Sequence, residues 1–199
     1  MRVRHLGGIA ALAAFSLSSA VAAGKCQLQQ IGVLPVDMQG PRPLVWTTIN
    51  GVKARFQLDS GAFYSTISRD AAAQYQLPIT SMPRGDFYIV GAGGEEKAQI
   101  ATVESFGFLG ASLPKVQFLV IEQNIWGDSA GAIGQNLLRV TDVEYDLANG
   151  LVRFLKPVGC GSQPLAYWAV RTPFSFVELR YVDALQSHLL STATINGHP

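Results

Sequence analysis

The sequence is poor in the residues on which charge-driven and metal-driven functions depend. Of its 199 residues, 15 are Lys or Arg and 14 are Asp or Glu, so the formal net charge is +1. A chain without excess positive charge lacks the electrostatic footprint that nucleic acid or an anionic membrane surface requires. Its two cysteines and three histidines are scattered without the spacing of a metal site. We therefore expect no nucleic-acid partner, no bound metal and no cofactor.

The scarcity of histidine also excludes one class of hydrolase. A serine or cysteine hydrolase needs a base beside its nucleophile, and that base is most often histidine. His5, His188 and His198 all lie near the ends of the chain, and the central segment has none. Ser65 therefore has no base partner, which removes a serine hydrolase mechanism.

Hydrophobic residues make up 48% of the chain, ample for the core of one domain. Residues 1–23 have the layout of a secretory signal peptide: basic Arg2 and Arg4, an apolar stretch over 6–21, and small residues before the predicted cleavage. Cleavage after Ala22 or Ala23 would leave a periplasmic or secreted protein without a stable membrane anchor. A retained anchor is the alternative, although the apolar stretch is short and interrupted by Gly and Ser.

The two cysteines bracket the central part of the chain. Cys26 follows the predicted cleavage site, and Cys160 lies in the linker-like stretch 157–161. In an oxidising compartment they could form a disulfide that joins the two ends of one domain. Two unpaired thiols are the alternative.

The hydrophobic pattern of the central segment is that of strands. Asn50-Gly51, between two β-rich runs, is the strongest hairpin signal. Two short helices are expected, one from the cap Ser68 to about Tyr75 and one over 136–138. Many short strands with hairpin turns predict an all-β fold with minor helix, a small barrel or sandwich. The predicted strands are 44–49, 52–58, 87–90, 98–103, 105–109, 116–121, 140–145 and 151–155.

One carboxylate, Asp59, stands between an apolar run and a turn of small residues. It follows Phe56-Gln57-Leu58 and precedes Ser60-Gly61-Ala62. A tight turn at the end of a barrel strand can direct backbone N–H groups at a carboxylate. Taken alone, however, Asp-Ser-Gly is more often an Asx-type turn with no catalytic role.

Three motifs in order supply the context that this single Asp lacks. Asp59-Ser60-Gly61-Ala62, followed by Ser65-Thr66-Ile67, resembles the active-site loop of the retropepsin-like aspartic proteases, which belong to the pepsin and retropepsin superfamily. Residues 143–147 with Asn149-Gly150 and a final strand resemble the end of the bacterial exported members. Residues 132–138, in which Gly134 opens a short helix, resemble the second motif of that family. Residues 88–94 with their return strand resemble the flap hairpin. The resemblance spans residues 45–154.

The resemblance implies a small closed β-barrel and an aspartic-type endopeptidase that needs no cofactor. Asp59 would give one carboxylate of a dyad that activates water, and the substrate would be a peptide held extended by strand-like hydrogen bonds. Ala62 replaces the Ser or Thr of strongly acid-working relatives, which implies a mildly acidic pH optimum. The implied site comprises Asp59 as catalytic residue, Ser60, Gly61 and Ala62 as active-site loop, Val90, Gly91, Ala92 and Gly93 as flap, and Ile133 and Gly134 as supporting loop.

The dyad needs a second carboxylate, but the sequence has no other Asp-Thr-Gly or Asp-Ser-Gly. A partial repeat suggests one source. Val36-Asp37, Leu44 and the run 48–51 recur as Val182-Asp183, Leu190 and the run 194–197, at a constant offset of 146 (197 minus 51). We therefore expect a protease domain over 27–157, a linker over 158–176 and the start of a second, truncated repeat over 177–199.

The second carboxylate would come from such a lobe or from another copy in a homodimer. A function from a different class stays open beside the enzyme, namely a non-catalytic exported module for peptide binding or assembly. Such a module would keep the barrel but would not depend on Asp59 for its activity.

Overall fold

The computed structural model describes residues 25–82, 88–91, 94–122, 125–169, 171–181, 189–194 and 196–197. Within these ranges the chain is mostly β-structure, as the sequence predicted, with two short α-helices, α1 (Arg69–Gln74) and α2 (Gln135–Leu138). The predicted signal peptide lies outside the described residues, and so do Ala92 and Gly93. The strands are β1 (Gln27–Pro35), β2 (Asp37–Gln39), β3 (Arg42–Ile49), β4 (Val52–Leu58), β5 (Thr66–Ser68), β6 (Ile79–Ser81), β7 (Tyr88–Gly91), β8 (Gly94–Lys97), β9 (Gln99–Phe108), β10 (Ala111–Ile121), β11 (Gly131–Ile133), β12 (Asp142–Asp146), β13 (Leu151–Val158), β14 (Arg180–Tyr181) and β15 (Leu189–Leu190).

Six strands close into a barrel because β3 pairs with β4 on one side and with β9 on the other. The strand order is β3-β4-β11-β5-β10-β9, and the closing pairs are Thr48 with Gly107 and Ile49 with Phe106. A Cβ at Gly107 would collide with the Thr48 hydroxyl, so the closure depends on the missing side chain. The closed barrel predicted from the sequence is confirmed.

The barrel interior is filled by aromatic and aliphatic side chains from alternate strand positions. Along β4, residues 54, 56 and 58 are buried while their neighbours face outward, as a half-buried strand requires. Phe56, Phe106 and Phe118 are fully buried, with ring centroids 5.1 to 5.7 Å apart. Aromatic contacts at these separations add to the gain from burial itself. This cluster fixes the strands that carry the active-site loop.

A second, three-stranded sheet has the order β1-β13-β12. Strand β1 pairs with β13 over most of its length, from Gln27 against Val158 to Pro35 against Leu151. The structure joins Cys26 and Cys160 in a disulfide at the end of this ladder. Strand β1 was not predicted because it is mostly exposed and shows no clean alternation; its partner strand lies more than a hundred residues away.

Several predicted boundaries were wrong, each for a local reason. The runs 98–103 and 105–109 form the single strand β9, in which Glu104 is merely an outward-facing position. The run 116–121 is the second half of β10, which begins at Ala111. Strand β12 begins at Asp142 rather than at Val140, and β13 extends to Val158, into the predicted linker. Strands β5 and β11 were not predicted, because three residues each are too few to show a period.

The C-terminal segment carries a small hairpin-like ladder. Strand β14 pairs antiparallel with β15, which joins Arg180 to Leu190 and Tyr181 to Leu189. Asn196 and Gly197 have φ values of 53° and 82°, close to the 49° and 83° of Asn50 and Gly51 in the β3–β4 turn. The repeated segment thus has the turn conformation of its counterpart, and the second lobe itself stays a prediction.

No helix in the described ranges has the length and apolar character needed to cross a membrane.

Candidate active site

Asp59 is positioned by an unusual arrangement of three strands. Strand β11 lies between β4 and β5, parallel to β4 and antiparallel to β5. Ile133 of β11 is level with Leu58 at the end of β4. The Asp59 N–H donates to the Ile133 carbonyl at 3.0 Å, so the residue after β4 is held against the end of β11. Two segments about seventy residues apart in sequence therefore meet at Asp59.

The carboxylate of Asp59 accepts hydrogen bonds from the turn that follows it. Its Oδ1 atom accepts from the N–H of Gly61 at 2.9 Å and from the N–H of Ala62 at 3.1 Å. Backbone donors of this kind fix the orientation of the carboxylate and place partial positive charge beside it. The turn therefore both shapes the chain and holds the carboxylate in one position.

A buried serine connects the active-site loop to the loop before α2. Ser65 is fully buried. Its hydroxyl donates to Asn136 Oδ1 at 2.8 Å and accepts from the Gly134 N–H at 3.0 Å, while its own N–H donates to Asn136 Oδ1 at 2.7 Å. These bonds satisfy polar groups that burial would otherwise leave unpaired. The two loops consequently form one hydrogen-bonded unit.

The first residues of α2 hold the active-site loop from the other side. Gln135 donates from its side chain to the Ser60 carbonyl at 2.7 Å and from its N–H to the Ala62 carbonyl at 2.9 Å. A Cβ at Gly134 would lie 2.6 Å from the Tyr64 carbonyl carbon and 2.8 Å from the Ala62 oxygen. Only glycine allows this approach. The predicted supporting loop thus contacts the active-site loop directly.

The predicted flap corresponds to a separate two-stranded hairpin. Strand β7 pairs with β8, with Val90 opposite Glu95 and Gly91 opposite Gly94. Tyr88 is 57% exposed and Val90 is 75% exposed. These apolar side chains are left uncovered by the rest of the described chain.

Tyr145 of β12 carries a hydroxyl to which the sequence assigned no role. Its hydroxyl is buried and has no hydrogen-bond partner among the described residues. Burial raises the pKa of Tyr145 to about 12, and the negative charge of Asp59 adds to that shift. The strand signal of residues 143–147 was visible in the sequence, but the burial of the Tyr145 hydroxyl was not.

Asp128, which like Asp59 is followed by a serine, belongs to a different surface. It forms an ion pair with Arg55 of β4, whose guanidinium also lies 3.8 Å from Asp37. Within the described ranges, no three His, Cys, Asp or Glu side chains are grouped so that they could hold a metal ion. The site therefore consists of Asp59, its backbone donors and the loops that support them.

No curated protein matches the chain. It is similar in structure to a retropepsin-like aspartic protease from Rickettsia conorii, with 18% identity, coverage of 67% of this chain and 96% of that one, and a TM-score of 0.47. It is also similar to the EIAV protease complexed with the inhibitor HBY-793, with 19% identity, coverage of 52% and 91%, and a TM-score of 0.41. Residues 45–139 match the family model described as aspartyl protease. The matched segment contains strands β4 to β11, the Asp59 loop and helix α2, and it is similar to that family in sequence.

Proposed function

We propose that the protein is an aspartic-type endopeptidase, which hydrolyses peptide bonds with water activated between Asp59 and a second carboxylate. The observation that carries this proposal is the Asp59 carboxylate, held by the N–H groups of Gly61 and Ala62 inside a segment that matches the aspartyl protease family. Two carboxylates close together share one proton, since both cannot ionise. One then acts as base toward water and the other as acid toward the scissile carbonyl.

The substrate is a peptide or protein segment held extended beneath the flap. Strand-like hydrogen bonds supply affinity that does not depend on sequence, and side-chain pockets supply specificity. The exposed Tyr88 and Val90 of the flap hairpin offer apolar contacts to such a peptide. Ser60 forms part of the active-site loop beside Asp59, and Ile133 and Gly134 form the supporting loop, as the family resemblance implies.

The second carboxylate comes from Asp59 of another copy or from a second lobe. The repeat at residues 177–199 supports a lobe, because the turn at Asn196 and Gly197 has the backbone conformation of the turn at Asn50 and Gly51. A homodimer is supported by the barrel, which closes within one copy and needs no further strand.

The protein acts outside the cytoplasm, in the periplasm or as a secreted enzyme. The basic and apolar layout of residues 1–23 supports export. The Cys26–Cys160 disulfide supports an oxidising compartment, because such bonds are rare where thiols are kept reduced.

The proposal is tested by Asp59→Asn in a peptide-cleavage assay. The amide has the shape of the carboxylate but cannot act as a base, so cleavage should be lost while the unfolding transition is retained. Asp37→Asn is the matched control, because it makes the same change at an exposed carboxylate outside the site. If Asp59→Asn cleaves as fast as the unmodified protein, the protease assignment fails and the non-catalytic peptide-binding module replaces it.

Mixing the two forms identifies the source of the second carboxylate. Unmodified protein is mixed with increasing amounts of Asp59→Asn, under conditions in which subunits exchange. In a homodimer, activity per unmodified chain falls as inactive mixed dimers form. With the second carboxylate in the same chain, activity per unmodified chain stays constant, and this result would exclude the homodimer.

A further inference from the structure

Residues 174–179 carry apolar side chains that the rest of the described chain leaves uncovered. Phe174 is 46% exposed, Phe176 87%, Val177 64% and Leu179 54%. Single exposed apolar side chains are ordinary, but several within six residues form a contiguous patch of the kind that marks an interaction surface. The segment therefore presents a surface for a partner to cover.

The backbone of this segment is also largely unpaired. Arg180 and Tyr181 form β14, which pairs with β15 along one edge, and no strand among the described residues pairs with its other edge. At the repeat offset of 146, residues 173–181 correspond to β1, which pairs with β13 over most of its length. The segment thus has the place of a strand but forms a ladder at only two residues. A free strand edge is a template for pairing with another chain.

The two charges in the segment indicate which chain that is. Glu178 and Arg180 flank Leu179, and neither forms an ion pair with another described residue. When two copies pair antiparallel with Leu179 opposite Leu179, each Glu178 lies opposite the Arg180 of the other copy. Pairing centred on Glu178 or on Arg180 instead sets like charges opposite each other, which is unfavourable. Charge complementarity thus selects one register, and a second copy of this chain fits it.

We propose that residues 177–181 pair antiparallel with the same residues of a second copy, along the edge of β14 that β15 leaves free. The product is a four-stranded sheet in the order β15-β14-β14-β15, with a two-fold axis at Leu179 that makes the contact closed and symmetric. Val177 and Leu179 lie on one face of the paired strands, and the two Glu178–Arg180 pairs lie on the other.

This self-association goes beyond the proposed function. It involves neither Asp59 nor the segment 45–139 that matches the family model. The association should therefore occur whether or not the protein cleaves peptides, and it does not depend on the source of the second carboxylate.

The first test is charge reversal in the full chain, with the dimer dissociation constant measured by sedimentation velocity. Glu178→Arg should raise that constant about tenfold, because two attractive cross-strand pairs become repulsive. Arg180→Glu should do the same. An equimolar mixture of the two variants should dimerise again, since every arginine then lies opposite a glutamate. Glu104→Arg is the matched control: it makes the same change at an exposed position of β9 and should leave the constant unchanged.

Three outcomes of this experiment would overturn the inference. The first is an unmodified protein that stays monomeric up to its highest soluble concentration. The second is a Glu178→Arg variant that associates as tightly as the unmodified protein. The third is a mixture that associates no better than either variant alone, because the two charges are then not paired between copies and another segment of the same chain covers the patch.

The second test places a cysteine at the two-fold axis. Opposed residues of an antiparallel pair have Cα atoms about 4.5–5.5 Å apart, within reach of a disulfide. Leu179→Cys should therefore give a disulfide-linked dimer under mild oxidation, seen at twice the mass on a denaturing gel without reductant. Val177→Cys is the control, because it lies on the same face but its two copies are about 13 Å apart along the paired strands. Equal cross-linking by both variants, or none by Leu179→Cys, would refute pairing in this register.

Discussion

At the scale of single residues, Ala62 shows how backbone and side chain can contribute separately to a site. Its N–H donates to the Asp59 carboxylate at 3.1 Å, but its methyl group offers no further donor. A hydroxyl at this position would add a hydrogen bond to the ionised carboxylate and lower its pKa. The absence of that hydroxyl is the physical basis for expecting a mildly acidic optimum; an optimum below about pH 3 would contradict it.

Ala62→Thr should therefore move the acid limb of the kcat/KM profile, and with it the optimum, to lower pH. Ala62→Val is the matched control, because valine has the shape of threonine without the hydroxyl. The profiles of the three proteins are compared over the same pH range. If valine shifts the acid limb as far as threonine does, bulk rather than hydrogen bonding controls the carboxyl pKa, and the explanation fails.

At the scale of elements, the short helix α2 depends on its contacts rather than on its own stability. Four residues are too few to form an isolated helix in water. Its place is set by Ser65, which accepts from the Gly134 N–H, and by Asn136, which accepts from both the hydroxyl and the N–H of Ser65. The same contacts hold the loop that carries Asp59.

Ser65→Ala should lower the free energy of unfolding by about 1–3 kcal/mol, because the buried Gly134 N–H loses its acceptor. Ser112→Ala is the control: its hydroxyl pairs with Ser105 at the exposed surface, where loss of a hydrogen bond costs little. Urea unfolding of both variants measures the difference. Equal destabilisation by the two changes would show that the Ser65 network does not hold the loops.

At the scale of the whole molecule, the barrel and the β1-β13-β12 sheet are stabilised differently. The barrel closes around a buried aromatic cluster, whereas β1 is largely exposed and is tied to β13 by its ladder and by the Cys26–Cys160 disulfide. A disulfide that spans 134 residues removes much of the chain entropy of the unfolded state. The sheet is therefore the part most dependent on a covalent link.

Replacement of Cys26 and Cys160 together by serine should lower the free energy of unfolding by about 3–5 kcal/mol. Reductant should lower the free energy of unfolding of the unmodified protein by a similar amount and leave that of the double variant unchanged. The measurement is chemical denaturation with and without reductant. A double variant as stable as the oxidised protein would show that the disulfide adds nothing to the ladder.

The sequence by itself determined strands β3 and β4, most of β9, the second half of β10, helix α1 and the position of the turn after Asp59. Alternation along β4 and the Asn50-Gly51 turn are local signals, and so is the Ser68 cap, whose hydroxyl accepts from the Ala71 N–H. The turn after Asp59 is equally local, because its donors follow the carboxylate by two and three residues.

Only the tertiary structure decided which distant segments meet. The pairing of β1 with β13, the closure of β3 on β9 and the hydrogen bonds of Ser65 to Gly134 and Asn136 join residues that are far apart in the chain. Such contacts leave no period in the sequence, because each strand carries only the pattern of its own two faces. The turn that holds the Asp59 carboxylate could thus be predicted from local sequence, but the hydrogen bonds that join its loop to Gly134 and Asn136 became visible only in the assembled fold.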